Sequence, residues 1–299
     1  MRFQRIAICL DSNYESQAIT LLTQIRNHEI DFASKYFFEV VSIPGEKLNH
    51  LESFFRQNEV MYQISFFDVG LVDSDLHNSL YPKATFLKLF LGIIQESQNF
   101  EYSSNLIYLD LDLLIQRGLP PLVEIAQKPM GDIVCMAVVE PWNHKHLEAI
   151  QKINAYFNSG VLILNPEAWK RLDLTNVALK RLKEHGVTLY ADQDYFNLLL
   201  ADSQLFEPLP KNFNRMPPLP LGFIRGSSII HFAGAQKPWN AFGWHWSYTK
   251  WRRFHGLNFP QIRFSGIRVA RELKVAIHEL SYRFMLNLYL RTIKKLRAS

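Results

Sequence analysis

An α/β fold is predicted for this 299-residue chain by three observations. Short apolar runs closed by turn residues alternate with segments of helical period. The chain opens on a strand–turn–helix unit. A later apolar run, Leu106-Ile107-Tyr108-Leu109, ends in two carboxylates, Asp110 and Asp112. Strands that alternate with helices point to a sheet covered by helices on its faces.

Taken in order, Phe3 to Leu10 reads as a buried strand, Asp11-Ser12-Asn13-Tyr14 as a turn, and Glu15 to Arg26 as a helix. Such an opening suits a nucleotide held outside a strand's carboxyl end. The glycine fingerprint of dinucleotide folds is missing, so phosphates must be held by other means. Tyr36 to Ile43 and Gln63 to Asp68 are further strands, and Pro82 to Gln95 is a helix with proline near its start. Asp132 to Val139 is another strand, and His144 to Ile153 a short helix or loop. Phe157 to Asn165 is a strand, and a helix runs from Pro166 to about Lys183. Asp192-Gln193-Asp194 opens a helix through Leu200, with Asp192 as its N-cap. Residues 208–222 carry five prolines and read as a rigid loop. Ser227 to Phe232 is a last strand that carries His231, and Gly234 to Trp239 is a turn.

Composition sets the outer limits. With 48% hydrophobic residues the chain can bury a large core. Cys9 and Cys135 both lie in apolar runs, as small core hydrophobes do, which fits a reducing compartment. The first apolar run, Ile6 to Leu10, is too short for a signal-peptide core. No segment approaches the ~18 apolar residues of a spanning helix. Charge is placed unevenly. Residues 261–299 carry nine Lys/Arg against Glu272 and Glu279, a charge of +7 within a chain total of +5. The basic character therefore belongs to the tail, residues 261–299, and not to the main domain, residues 1–260.

Alternate side chains of a strand share a face, so Asp110 and Asp112 are expected to point the same way. Adjacent carboxylates repel unless a proton or cation lies between them. At neutral pH a divalent cation bound through oxygen, Mn²⁺ or Mg²⁺, answers that need, and it is most useful beside a phosphate. The plain alternative for so short a motif is two solvated acids at a strand end.

Five pieces in order change that balance: Asp11-Ser12-Asn13-Tyr14 after the first strand; Asp110 with Asp112; Phe157-Asn158-Ser159-Gly160; Asp192-Gln193-Asp194; and His231-Phe232-Ala233-Gly234-Ala235-Gln236-Lys237-Pro238-Trp239. Together they resemble glycosyltransferase family 8 over residues 3–245, and the basic tail is more like its bacterial lipopolysaccharide branch. The resemblance implies a GT-A fold, a single Rossmann-like domain with a mixed central sheet, followed by the basic helical tail. It implies a UDP-sugar donor, Mn²⁺ (or Mg²⁺), a saccharide or glycolipid acceptor and retention at the anomeric carbon.

By position, Asp110, Asp112 and His231 match the family's metal ligands. Lys237 matches a lysine on the donor diphosphate, where a point cation stabilises departing UDP, and Gly234 lets backbone approach phosphate. Asp11, Asn13 and Tyr14 match the nucleoside pocket; Asp11 or Ser12 as a helix cap is the competing account. Lys88 stands where the family often has arginine, keeping the charge without the bidentate fork. Asn158 matches the asparagine of the family's F-N-A-G stretch, with Ser159 in place of alanine. Asp192 matches a residue holding sugar hydroxyls. Gln193 matches the residue nearest the anomeric face opposite UDP. A neutral amide is a poor nucleophile, so front-face attack is favoured over a covalent intermediate. Asp194 is the second candidate nucleophile, with a first-turn acid on a helix as its alternative. Glu140, Trp142, Asn143 and His144 lie where the family receives its acceptor.

The tail sets Ile267, Leu273, Ile277, Phe284 and Leu288 among its cations. It is expected to lie on anionic lipid at the cytoplasmic face of the membrane. No nucleic-acid motif accompanies the charge. Two rival readings remain. A D-x-D phosphatase would place the motif at its first strand with Thr or Val two residues on, where this chain has Leu114. A degenerate sugar- or membrane-binding protein would be expected to have lost a metal ligand.

Overall fold

The structure is a computed structural model, and it describes residues 2–70, 83–96, 100–140, 147, 150–151, 153, 155–201, 203–217, 228–234, 236–240, 246–258 and 277. The basic tail, apart from Ile277, lies outside these residues. So do Trp142, Asn143 and His144, Pro82 at the start of its expected helix, and the proline-rich loop beyond Pro217.

Strands β1 (Phe3–Cys9), β2 (Tyr36–Ser42), β3 (Met61–Phe66), β4 (Tyr102–Leu109), β6 (Cys135–Val139), β7 (Phe157–Leu164) and β8 (Phe206–Pro208) form one sheet in the order β3-β2-β1-β4-β7-β6-β8. β1 pairs in parallel with β2 and β4, as β2 does with β3. β7 runs antiparallel between β4 and β6, so the sheet is mixed, as expected. β5 (Leu113–Ile115) and β9 (Ile229–His231) form a separate antiparallel ribbon.

Both faces of the central strands are buried, which explains their near-continuous apolar runs. One face packs on α1 (Glu15–His28) and α3 (Asn49–Gln57), with the short α2 (Phe32–Lys35) beside them and α4 (Pro120–Ala126) under β4. The other packs on the segment Lys83–Ile93 and on α5 (Pro166–Arg171), α6 (Leu174–His185) and α7 (Asp192–Leu200). The last described helix, α8 (Trp246–Asn258), docks on α1, where Thr20 Oγ1 lies 2.9 Å from His255 Nδ1. Among the described residues, no helix is long and apolar enough to cross a membrane. Cys9 and Cys135 are free and buried, and burial pushes both thiols up.

Three expectations differ in detail. The helix after Pro166 is two helices, because Asp173 adopts a left-handed conformation (φ +51°) between α5 and α6. Asn165 starts α5 as a cap, accepting from Ala168 N at 3.2 Å, with Pro166 in the first turn. Second, Ala191 and not Asp192 occupies the cap position of α7. Its φ of +47° turns the chain sharply there, and Asp192 becomes the first helical residue. Third, the segment read as an ordinary helix from Pro82 is wound as a 3₁₀ helix over Lys83–Ile93. Three residues per turn stack Phe86, Leu89 and Gly92 in one row and Thr85, Lys88 and Leu91 in another.

The first row locks against Trp169. The indole N–H donates to Thr175 Oγ1 at 2.9 Å, and that hydroxyl donates to Leu89 O at 2.8 Å. A Cβ at Gly92 would stand 2.6 Å from the Trp169 Cβ and closer still to the ring, which is fully buried. Gly92→Ala is therefore expected to destabilise the protein by about 1–3 kcal/mol or more through overpacking. A thermal melt checks this, and an unchanged midpoint would mean that the indole has room to move aside.

Candidate active site

The two aspartates do not sit on a strand face. β4 stops at Leu109, and residues 110–112 form a bend before β5. Their carboxylates converge because both ends of the bend are pinned. Asp110 N donates to Gly160 O at 2.8 Å, and Phe232 N donates to Asp112 O at 3.0 Å. The β5–β9 ribbon sets Leu113 opposite His231, which delivers the imidazole to the bend. Asp110, Asp112 and His231 each offer a ligand atom, and these atoms lie within 4.8 Å of one another.

Each ligand is held by its far side. Asp110 Oδ1 accepts from the Tyr108 hydroxyl at 2.6 Å and pairs with Lys88 Nζ at 3.1 Å, leaving Oδ2 toward His231 Nε2 at 3.5 Å. Asp112 Oδ2 pairs with Lys237 Nζ at 2.6 Å, leaving Oδ1 3.2 Å from the same imidazole nitrogen. Burial alone would push the Asp112 carboxyl up, but Lys237 and His231 prevail and hold it well below the usual carboxylate range. Two carboxylate oxygens and one imidazole nitrogen, facing one point, fit Mn²⁺ or Mg²⁺ in donor type. Gly160 lines the same point. A Cβ there would lie 2.5 Å from His231 Nδ1 and 2.9 Å from Asp110 Oδ2, so only glycine leaves room for the ring.

Lys88 ties this cluster to α7. Its ammonium lies 2.7 Å from Asp192 Oδ2 as well as 3.1 Å from Asp110 Oδ1, and it donates to Ser159 Oγ at 3.2 Å. Burial works against the ammonium, yet Asp110 and Asp192 outweigh it and push the lysine up. The Asp192 carboxyl is itself pushed up by burial, which Lys88 only partly offsets. Its carboxylate serves Lys88 and Ser159 Oγ (3.0 Å) and caps no helix. Gln193 is half-buried, and its Oε1 accepts from Ser159 N at 3.1 Å. Asp194 is fully buried, accepting from the Tyr156 hydroxyl at 2.6 Å and from Tyr190 N at 2.9 Å.

The nucleoside-side residues gather at the mouth. Asp11 caps the 3₁₀ turn Ser12–Tyr14, accepting from Asn13 N at 2.9 Å. Tyr14 meets Trp239 edge to face, with centroids 6.0 Å apart. The Tyr14 phenol is pushed up by burial and then by Asp11, with Lys237 and Asp112 near enough to act on it. Gly234 has φ +109°, a conformation that glycine adopts without strain. Glu140 accepts from Asn158 Nδ2 at 3.0 Å, which links the strand carrying Phe157-Asn158-Ser159-Gly160 to the end of β6.

Sequence reasoning missed Asn214, whose Oδ1 is 2.9 Å from His231 Nδ1. It lies in a stretch legible only as a proline-rich loop. Tyr108 was within reach, since it stands two residues before Asp110 and shares its side of the chain.

A model of the family described as Glycosyl transferase family 8 matches residues 5–243. General stress protein A of Bacillus subtilis (strain 168) is 24% identical over 277 residues, covering 82% of this chain and 94% of that protein. Among solved structures, galactosyltransferase LgtC in complex with donor and acceptor sugar analogues superposes with a TM-score of 0.69 at 20% identity, over 87% of this chain and 97% of that one. The glycosyltransferase GlyE of Streptococcus pneumoniae TIGR4 does so with a TM-score of 0.56 at 18% identity, over 87% of this chain and 64% of that one. With these two structures the likeness is one of fold, and that fold is GT-A.

Proposed function

The chain belongs to glycosyl transferase family 8, and we propose that this glycosyltransferase moves a hexose from UDP-glucose or UDP-galactose to a saccharide acceptor, a lipopolysaccharide or another glycolipid or polysaccharide, with retention at the anomeric carbon. The observation that carries the reading is the convergence of Asp110, Asp112 and His231 beside Lys237. A cation bound by those three residues supplies Lewis-acid stabilisation of the charge that develops on the departing diphosphate.

The remaining work falls to this chain's own side chains. The Lys237 ammonium, one-third exposed, is a cation at the place the diphosphate leaves from. The Tyr14–Trp239 pair offers aromatic surface to the uracil, and Asp11 and Asn13 border it. Lys88 keeps Asp110 and Asp192 fixed, and the second oxygen of Asp192 is left for a sugar hydroxyl. Gln193, anchored through its oxygen to strand β7, lines the face opposite UDP and offers no nucleophile. Asp194, with both oxygens engaged, holds α7 to its surroundings. The acceptor hydroxyl then attacks from the side on which UDP departs. The bond from anomeric carbon to UDP breaks, the bond to the acceptor oxygen forms, and the hydroxyl proton passes to the departing phosphate.

The test is UDP release by purified protein from UDP-glucose, UDP-galactose and UDP-N-acetylglucosamine, with and without Mn²⁺. Mn²⁺-dependent release from one hexose donor is expected. Protein that binds no UDP in the presence of Mn²⁺ would overturn the reading. The +7 tail extends the same proposal to a peripheral site on the cytoplasmic face of a membrane, near a lipid-linked acceptor. Deleting residues 261–299 is expected to free the protein from anionic vesicles while UDP release persists. Vesicle binding that survives the deletion would place the anchor elsewhere.

A further inference from the structure

The metal-facing imidazole is held by a buried chain of amides whose hydrogen-bond directions are forced from one end. Gly160 N donates to Asn158 Oδ1 at 2.9 Å. A backbone N–H can only donate, so the Asn158 atom it meets is the oxygen. The other end of that carboxamide, Nδ2, donates to Glu140 Oε1 at 3.0 Å, as this orientation requires. Asn158 Oδ1 also lies 2.8 Å from the Asn214 carboxamide, whose contacting atom must then be Nδ2, a donor. That leaves Asn214 Oδ1, an acceptor only, 2.9 Å from His231 Nδ1. The Nδ1 atom must therefore carry hydrogen, so that when the ring is neutral the lone pair falls on Nε2, the nitrogen that faces Asp110 and Asp112. Asn158, Asn214 and His231 are all buried, so water does not relax the chain.

The geometry points to Asn214 as the positioning residue that keeps His231 in its metal-binding tautomer. This inference rests on the metal reading of the site. It goes beyond that reading by assigning a role to a residue outside the three that face the metal point, one bonded to His231 and Asn158. Its physical need is plain. Two carboxylate oxygens lie 3.2 and 3.5 Å from Nε2 and attract a hydrogen to it. A hydrogen there closes the ligand position. Asn214 opposes this by offering Nδ1–H a fixed acceptor, the arrangement by which outer partners orient metal-ligating histidines. Asn158 thereby serves as the anchor of Asn214, and its oxygen is spent inside the protein.

The test has two readouts on the full chain. The first is the ¹⁵N–¹³C correlation pattern of the His231 ring in metal-free protein at about pH 9, where an ordinary imidazole is neutral, with the signal assigned by its loss in His231→Gln. The parent is expected to carry hydrogen on Nδ1, and Asn214→Ala to shift it to Nε2. Asn214→Asp, which keeps an acceptor for Nδ1 and, with its other oxygen protonated, a donor to Asn158 Oδ1 as in the native amide, is expected to resemble the parent. The second readout is Mn²⁺ affinity from the paramagnetic resonance of free Mn²⁺. Asn214→Ala is expected to lose about 10–100-fold, and Asn214→Asp to stay closer to the parent than to Asn214→Ala. A parent ring with bare Nδ1 would overturn the inference with no variant needed. So would an alanine variant with parental ring pattern and parental Mn²⁺ affinity, or equal losses in both variants, which would point to packing. A parent that binds no Mn²⁺ would instead count against the metal reading, while the ring pattern still decides this one.

Discussion

Asp112→Asn is expected to abolish Mn²⁺-dependent binding of UDP. Asparagine keeps the shape of the side chain and removes its charge, so the loss reports electrostatics and not packing. In the native protein the carboxylate lies between two positive or metal-directed partners, Lys237 Nζ at 2.6 Å and His231 Nε2 at 3.2 Å. An amide in its place must turn an NH₂ group toward one of them. If it faces Lys237, two donors collide; if it faces the metal point, a ligand is lost. Removing one member of a buried charged constellation typically costs about 2–5 kcal/mol, or roughly one and a half to three and a half orders of magnitude in affinity. Titration calorimetry of UDP, with and without Mn²⁺, measures the effect. Unchanged Mn²⁺-dependent affinity would remove the cation argument. The backbone carbonyl of Asp112 still accepts from Phe232 N, so the bend itself is expected to survive the substitution.

Gly160→Ala is the second large effect, and it acts with no change of charge. The residue has no left-handed backbone, so alanine meets no conformational penalty there. The cost is steric and local. The new methyl would stand 2.5 Å from His231 Nδ1 and closer to Cε1, forcing the buried ring away from Asn214 and from the two carboxylates. Overpacking alone is worth about 1–3 kcal/mol of stability. The larger consequence is for the metal, whose affinity is expected to fall by about 10–100-fold or more, as when a histidine's outer support is lost. Mn²⁺ titration measures this directly. A double-mutant cycle with His231→Ala separates the causes. If the methyl acts through the ring, it costs little once the ring is gone. If Gly160→Ala binds Mn²⁺ as the parent does, the ring has room that the structure denies it.

Much of this site is legible in the chain because its chemistry is carried by short, local patterns. The apolar run into Asp110 and Asp112, the run from His231 to Trp239, and Tyr14 after the first strand each announce a residue type that matters within a few positions of a strand end. The alternation of strands and helices likewise foretells a covered sheet, because burial on both faces demands continuous apolar strands. Asp110, Asp112 and His231 do meet, as the family resemblance implies; what fails are local readings that a distant piece overrides. The same face predicted for the two aspartates rests on strand periodicity, but the strand ends at Leu109 and the bend is set by Gly160 and Phe232. Asp192 carries the composition of a helix cap, yet buried Lys88 draws its carboxylate away from that task.

The sequence by itself determined the longer strands, though not the three-residue β5 and β8, and the acids, the histidine and the lysines, because hydrophobic period and side-chain chemistry are local properties. Only the tertiary structure decided that β7 runs antiparallel beside β4, setting Gly160 against Asp110, and that the β5–β9 ribbon brings His231 to Asp112. It alone decided that Lys88 bridges two carboxylates and that Asn214 stands behind the imidazole. The physical reason is that register between remote strands is chosen by backbone hydrogen bonds and core packing over the whole sheet. Neither leaves a mark on the residues that end up in contact.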